Sequence, residues 1–422
     1  MQRTLNKGGS FRKFLLLWTG ELVSSIGGGL TSFGLGVYIF DLTGSAASMA
    51  LVTLLGFLPT LLLSVPAGAL ADRFDRRLLM MLGDGCSALG ILYILFCMMD
   101  GGASLLQICV GISVSAIFSA LLEPSFRATI TDLLTPEEYS KASGLVSLAG
   151  SARYLLSPVT AGFLLSVGDV TLLLVIDICT FFLTAVSAAV VRREIGAEEN
   201  ESKEPVLDSI RTGWQILCQK RGVLILVVIS SLVTLFMGIF QVLAEPLILS
   251  FRDAKTLGIA ETLCACGMLL SGLILGIRGL KGRYVRTLGL SLCASGLFMS
   301  GFALFENIIP ICIFGFMFFA ALPFANNCLD YLVRTNIPVD VQGRVWGMVG
   351  FISQFGYAVA YALSGAAADI FGKLTGQGTG RGAARVILIA GILLTATAAV
   401  IPLTKSIREI EIAETEEKRN DG

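Results

Sequence analysis

The chain contains no histidine. That removes the commonest metal ligand, the base of a Ser-His dyad and the side chain that usually titrates near neutral pH. It also lacks a Gly-x4-Gly-Lys-Ser/Thr loop, so no recognisable ATP motor is encoded. Charge is scarce: Asp, Glu, Lys and Arg make up 15% of the residues, against about 25% in soluble domains. The 31 basic and 31 acidic residues cancel, leaving no net field to gather nucleic acid. No catalytic residue, metal or cofactor is expected. What is present is apolar: 55% of 422 residues are hydrophobic and the mean hydropathy is +0.80, the composition of an integral membrane protein.

A helix needs about 20 apolar residues to cross a bilayer core. Twelve such runs are predicted, at 14–40, 47–70, 78–99, 104–122, 142–167, 170–191, 223–250, 256–277, 288–305, 308–333, 345–371 and 386–403. The first is too long for a signal-peptide core and contains Glu21, so it reads as a retained span. With both termini on one side, that side carries 24 of the 31 basic residues, which makes it cytoplasmic.

One extended polar stretch, 192–221, divides the chain. Its first part reads as a solvated linker. Leu207, Ile210, Trp214 and Leu217 then share a helical face suited to the inner leaflet. The expected organisation is therefore a six-helix bundle over 1–195, a linker with an interfacial helix over 196–221, and a second bundle over 222–422 with a short charged tail. The halves repeat: at an offset of 203, Lys141 meets Arg344, Gly144 meets Gly347, Val146 meets Val349, Tyr154 meets Tyr357 and Gly162 meets Gly365. Spans 5 and 11 are thus predicted counterparts, and an even number of intervening spans gives both halves the same orientation. A degraded copy of the 68–77 stretch is expected at 278–286, between spans 8 and 9.

Glycine is plentiful, at 47 residues, and its clusters within spans permit close helix contact. The ten cysteines read as small apolar packing; Cys264 and Cys266, at i and i+2, do not face each other on a helix. The Gly376-Gln377-Gly378-Thr379-Gly380 run follows no strand and reads as a connector.

The densest polar segment between spans is Gly68-Ala69-Leu70-Ala71-Asp72-Arg73-Phe74-Asp75-Arg76-Arg77, which cannot lie in lipid and reads as a tight loop. It resembles the loop signature of the major facilitator superfamily, Gly-x-Leu-Ala-Asp-Arg-x-Gly-Arg-Arg, with Asp75 in place of the second glycine. The resemblance implies an all-α membrane protein: twelve transmembrane helices in two six-helix bundles related by a parallel pseudo-twofold, both termini cytoplasmic. It also implies a conformational latch here, at Gly68, Asp72, Arg73, Arg76 and Arg77, with Arg127 as a neighbouring member.

Charges inside spans are costly and each needs a reason, about 2.5 to 3.5 kcal/mol apiece if unpaired. Glu21, Asp177, Arg153 and Glu123 are the proton-coupling candidates. Glu21 stands out, because the resemblance lines the central cavity with spans 1, 4, 7 and 10; pairing with Arg153 is its structural alternative. Glu123 with Arg127, and Asp330 with Arg334, have the i, i+4 spacing of a clamp. Asp84 is expected to support the 68–77 loop. On the cavity helices, Ser25, Phe33, Phe118, Phe236, Phe240, Gln241, Glu245, Phe316, Phe319 and Asn326 offer a mostly apolar pocket with a few polar groups.

Exporters of the superfamily often carry Gly-x8-Gly-x3-Gly-Pro-x2-Gly-Gly in span 5. Here Pro158 and Gly162 remain, while Ser157 and Ala161 replace two glycines. With Glu123-Pro124-Ser125-Phe126-Arg127 and Asp41-Leu42-Thr43-Gly44-Ser45, the chain resembles the branch that contains macrolide-efflux proteins and the enterobactin exporter. The resemblance implies a monomeric, non-enzymatic secondary transporter of the bacterial plasma membrane. Its expected partners are a small amphipathic substrate, protons and lipid, with no nucleic acid, and the expected activity is efflux by proton antiport. A siderophore or metabolite exporter, an uptake carrier, and a membrane sensor or scaffold remain alternatives.

Overall fold

The computed structural model describes residues 7–135, 138–195, 214–215, 217, 221–280, 282–337 and 342–404. Within these, the side chains of 7–10, 72, 131–132, 140, 193–195, 221 and 342–347 fall outside the description. Most of the linker, and with it the expected interfacial helix, also lies outside the described residues.

The described residues are helical, with no strand. The helices are α1 (Lys7–Thr43), α2 (Ala46–Arg73), α3 (Arg76–Met99), α4 (Leu105–Ser119), α5 (Leu122–Leu133), α6 (Tyr139–Val167) and α7 (Val170–Ile195). They continue as α8 (Arg221–Leu249), α9 (Ala254–Arg278), α10 (Tyr284–Phe302), α11 (Ile308–Thr335), α12 (Gln342–Thr375) and α13 (Gly378–Val400). Among the described residues, ten segments are long and apolar enough to cross a membrane. α6 and α12, with 29 and 34 residues, have the length but are not among those ten.

The fourth predicted span needs correction. It does not end at Leu122; the apolar segment runs from Leu105 to Ile130 and breaks between α4 and α5. Pro124 has no N–H to give the Ala120 carbonyl, so the helical ladder is interrupted one turn before it. Glu123 and Arg127 therefore sit on a separate short helix.

Side chains close the starts of α3, α4, α9 and α11, where backbone N–H groups need partners. Ser104 and Gln107 form a reciprocal capping box on α4. Asn307 caps α11, accepting from the Ile309 N–H at 3.0 Å. Asp253 caps α9; the Thr256 hydroxyl and backbone N–H donate to it and hold its carboxyl below its ordinary range. Gly279, at φ 62°, ends α9 in a conformation that side chains rarely adopt.

The chain divides into two compact units. The first takes the described residues of 1–42 and 51–203, the second those of 43–50 and 204–422. In the first, α3 packs against α4, α5 and α7. A buried core of Phe14, Leu17, Met80, Phe126, Leu133, Ala142, Ala188 and Val191 joins α1, α3, α5, α6 and α7. In the second, α10 packs against α11 and α13, and α12 against α8 and α13. The segment 43–50 belongs to this unit because Asp369 of α12 caps it: Ser45 Oγ donates at 2.5 Å, and the Ala46 and Ala47 N–H groups at 3.0 and 3.2 Å.

The two units use the same packing device. In the first, Ser25 Oγ donates to the Ala149 carbonyl and Gly29 lies against Ser157. In the second, Thr234 donates to the Ser353 carbonyl and Gly238 lies against Ala360. Ser157 and Ala360 stand at the offset of 203 read from the repeat.

Candidate functional site

The 68–77 stretch is more helical than its composition suggests. α2 runs on through Arg73, and only Phe74 and Asp75 separate it from α3. Gly68 is helical and a Cβ there would meet nothing within 4 Å, so close backbone approach is not its role. Asp72 lies in the last turn of α2, but its side chain lies outside the described residues, and Arg73 is exposed.

The contacts centre on Asp75 and Arg76. Asp75, in the place of the signature's second glycine, accepts from the Arg77 N–H at 3.0 Å as the cap of α3 and pairs with Arg192 of α7 at 2.6 Å. Arg76 donates to the Ala71 carbonyl at the end of α2 and to the Ala128 carbonyl of α5, at 3.1 and 3.0 Å. Arg77 is 2% exposed. Arg127 pairs with Glu123 at 2.8 Å in the i, i+4 manner, and both side chains are largely exposed. Asp75→Ala removes both a cap and the partner of a half-buried arginine. It is expected to cost about 1 to 3 kcal/mol, read as a lower midpoint in thermal unfolding of the detergent-solubilised protein.

Inside the first unit, acidic groups gather from three helices. Asp177 of α7 is 1% exposed and takes a bond from the Thr180 hydroxyl at 3.4 Å. Gly27 of α1 lies against it: an added Cβ would sit 2.8 Å from Asp177 Oδ1 and 2.3 Å from Thr180 Oγ1, so only glycine lets α1 and α7 approach here. Glu21, half-buried on α1, lies within electrostatic reach of Glu123 and Arg153. Arg153 of α6 acts on both Glu21 and Asp177, but forms no ion pair within 4 Å with either among the described residues. Its stem packs on Gly29. The fixed Glu21–Arg153 pair considered from the sequence is therefore not formed.

Asp84 departs furthest from expectation. It does not support the 68–77 loop: it is 0% exposed on α3, and neither carboxylate oxygen has a hydrogen-bond partner among the described residues. The groups within its electrostatic reach are Glu21 and Asp177.

The remaining cavity candidates separate by role. In the first unit, Ser25 spends its hydroxyl on the Leu22 and Ala149 carbonyls, Phe33 is 4% exposed and Phe118 is half-buried. In the second unit, Phe236 and Phe240 are buried. Phe240 stacks on Phe318 at 4.4 Å and meets Phe302 and Phe319 at 4.6 and 5.7 Å, so it belongs to an aromatic cluster. Gln241 accepts from the Tyr361 hydroxyl at 2.8 Å, Phe316 is half-buried and Asn326 is exposed. Glu245 on α8 and Glu261 on α9 lie close enough to repel each other. The sequence reading passed over Glu261, although a carboxylate five residues inside an apolar run carries the same cost that singled out Glu21. The nine described cysteines are free thiols, and Cys218 lies outside the described residues.

Known proteins resemble this one along nearly all its length. Macrolide efflux protein A of Streptococcus pyogenes is 28% identical over 417 residues, covering 95% of this chain and 98% of that protein. The multidrug efflux pump Tap of Mycolicibacterium fortuitum is 24% identical over 373 residues, covering 85% of this chain and 90% of its own. Among solved structures, the nucleoside transporter NupG superposes with a TM-score of 0.69 at 13% identity, over 93% of this chain and 100% of its own, which speaks for the fold alone. The family model described as Major Facilitator Superfamily matches residues 17–361, and with that match the chain belongs to the superfamily as a membrane transporter, not an enzyme.

Proposed function

We propose that this transporter exports a small amphipathic compound of the macrolide type from a bacterial cell, driven by protons entering in exchange. The observation that carries the cargo is the 28% identity to a macrolide efflux protein along 95% of the chain. The acidic interior of the first unit supports the energy source: Glu21 and Asp177 are membrane-embedded carboxylates without a fixed ion-pair partner among the described residues.

In this reading all twelve predicted runs cross the membrane, both termini are cytoplasmic, the protein works as a monomer, and the two bundles expose a substrate site to each side in turn. The latch is the 68–77 segment, where Arg76 ties α2 to α5 and Asp75 ties α3 to α7. Expression in a macrolide-sensitive host is expected to raise resistance to erythromycin. Everted vesicles are expected to accumulate that compound when acidified inside, and to stop when a protonophore collapses the gradient. Unchanged susceptibility across macrolides together with no gradient-driven accumulation rejects the proposal.

A further inference from the structure

We propose that Asp84 of α3 is a proton-binding carboxyl of the first unit, which takes up one proton from the outer aqueous side and releases it to the inner side in each transport cycle. This rests on the exchange reading above and adds to it a residue and a third helix.

The buried face of α3 runs through Arg77, Met80, Asp84, Ser87, Ala88, Ile91 and Ile94, all at helical spacing. Asp84 is thus enclosed at mid-stripe and is not a side chain at a helix end. Its nearest polar neighbour on that face is already engaged: Ser87 donates to the Gly83 carbonyl at 2.7 Å and meets Ser119 at 2.9 Å. Among the described residues, Asp84 alone has two side-chain oxygens buried without a hydrogen-bond partner. A buried carboxylate in that condition carries the full cost of its lost hydration, which a bound proton removes.

The surroundings offer no substitute for a proton. Among the described residues, the titratable groups that act on it are Glu21 on α1 and Asp177 on α7, both acidic. On α5, Glu123 is occupied with Arg127, and α4 carries no charged residue. Arg153 on α6 acts on Glu21 and Asp177. Arg192 of α7 is bound to Asp75. A metal cation is disfavoured as well, because no three carboxylates or thiols among the described residues are close enough to share one. Asp84 on α3 lies within electrostatic reach of one carboxyl on α1 and another on α7, and with them makes up a set that holds a variable number of protons.

The test is infrared spectroscopy of the protein in liposomes at neutral pH, comparing wild type with Asp84→Asn. A protonated-carboxyl C=O band present in wild type and absent from the variant supports the proposal; identical spectra overturn it. Should the asparagine variant not fold, Asp84→Glu serves instead, since the band must then shift, and an unshifted band overturns the proposal. In acidified everted vesicles, Asp84→Asn is expected to reduce erythromycin accumulation on the order of tenfold, about 1.4 kcal/mol of coupling. Wild-type rates from the variant overturn it, as does transport that follows a sodium gradient in place of a proton gradient. If wild type moves no erythromycin, the export reading fails, while the infrared comparison still decides the protonation of Asp84.

Discussion

Glu21→Gln is expected to abolish uphill export in acidified vesicles while leaving downhill movement of the compound intact. The substitution keeps size and hydrogen-bonding capacity but removes the ability to gain and lose a proton. Glu21 lies half-buried on α1, near Glu123 and Arg153 yet joined to neither by an ion pair. A residue locked in such a pair would lose stability on substitution, by about 3 to 5 kcal/mol. A residue that cycles between charged and neutral forms loses coupling instead. The measurement is therefore double: the accumulation ratio of erythromycin across an imposed pH gradient, and the thermal midpoint of the purified protein. A fall in the ratio on the order of tenfold or more, with the midpoint little changed, is the expected pair of results. Undiminished proton-driven accumulation removes Glu21 from the coupling set.

The second large effect is on packing. Gly356→Ala should lower the thermal midpoint by several degrees, whereas Gly350→Ala on the same helix should leave it unchanged or raise it. A Cβ at Gly356 would lie 2.0 Å from the Ser231 carbonyl oxygen and 2.7 Å from the Leu235 nitrogen, both backbone atoms of α8 that cannot rotate aside. The Thr234 hydroxyl, bonded to the Ser353 carbonyl, holds the helices at that separation. Forcing them apart costs about 1 to 3 kcal/mol. At Gly350 nothing lies within 4 Å, and alanine improves helix propensity by about 1 kcal/mol. Equal midpoints for the two variants would show that the α8–α12 contact yields easily.

Different residues were legible in the sequence to different degrees. The motif at 68–77 identified the superfamily, yet its glycine proved to be an ordinary helical residue. The contacts came from Asp75, the position where the signature is broken, because a carboxylate can cap α3 and hold Arg192 together while a glycine can do neither. The Glu123–Arg127 pair was readable from i, i+4 spacing, since a helix fixes which side chains are neighbours. Phe240 was placed on the right helix, but its partners Phe302 and Phe318 come from α10 and α11, and no spacing rule spans that separation.

Composition and periodicity were enough to determine a membrane-embedded helical chain, because the bilayer demands about 20 apolar residues per crossing and leaves the backbone few other choices. A repeat of the halves was expected from the equal spacing of glycine and tyrosine at an offset of 203, and Ser157 and Ala360, at that offset, each lie against a glycine of a neighbouring helix. The surroundings of Asp84 were decided only by tertiary packing. A sequence shows that a carboxylate lies within an apolar run. Whether a lysine, an amide or nothing at all faces it depends on how the helices pack, and here the charged groups brought within its reach are Glu21 of α1 and Asp177 of α7.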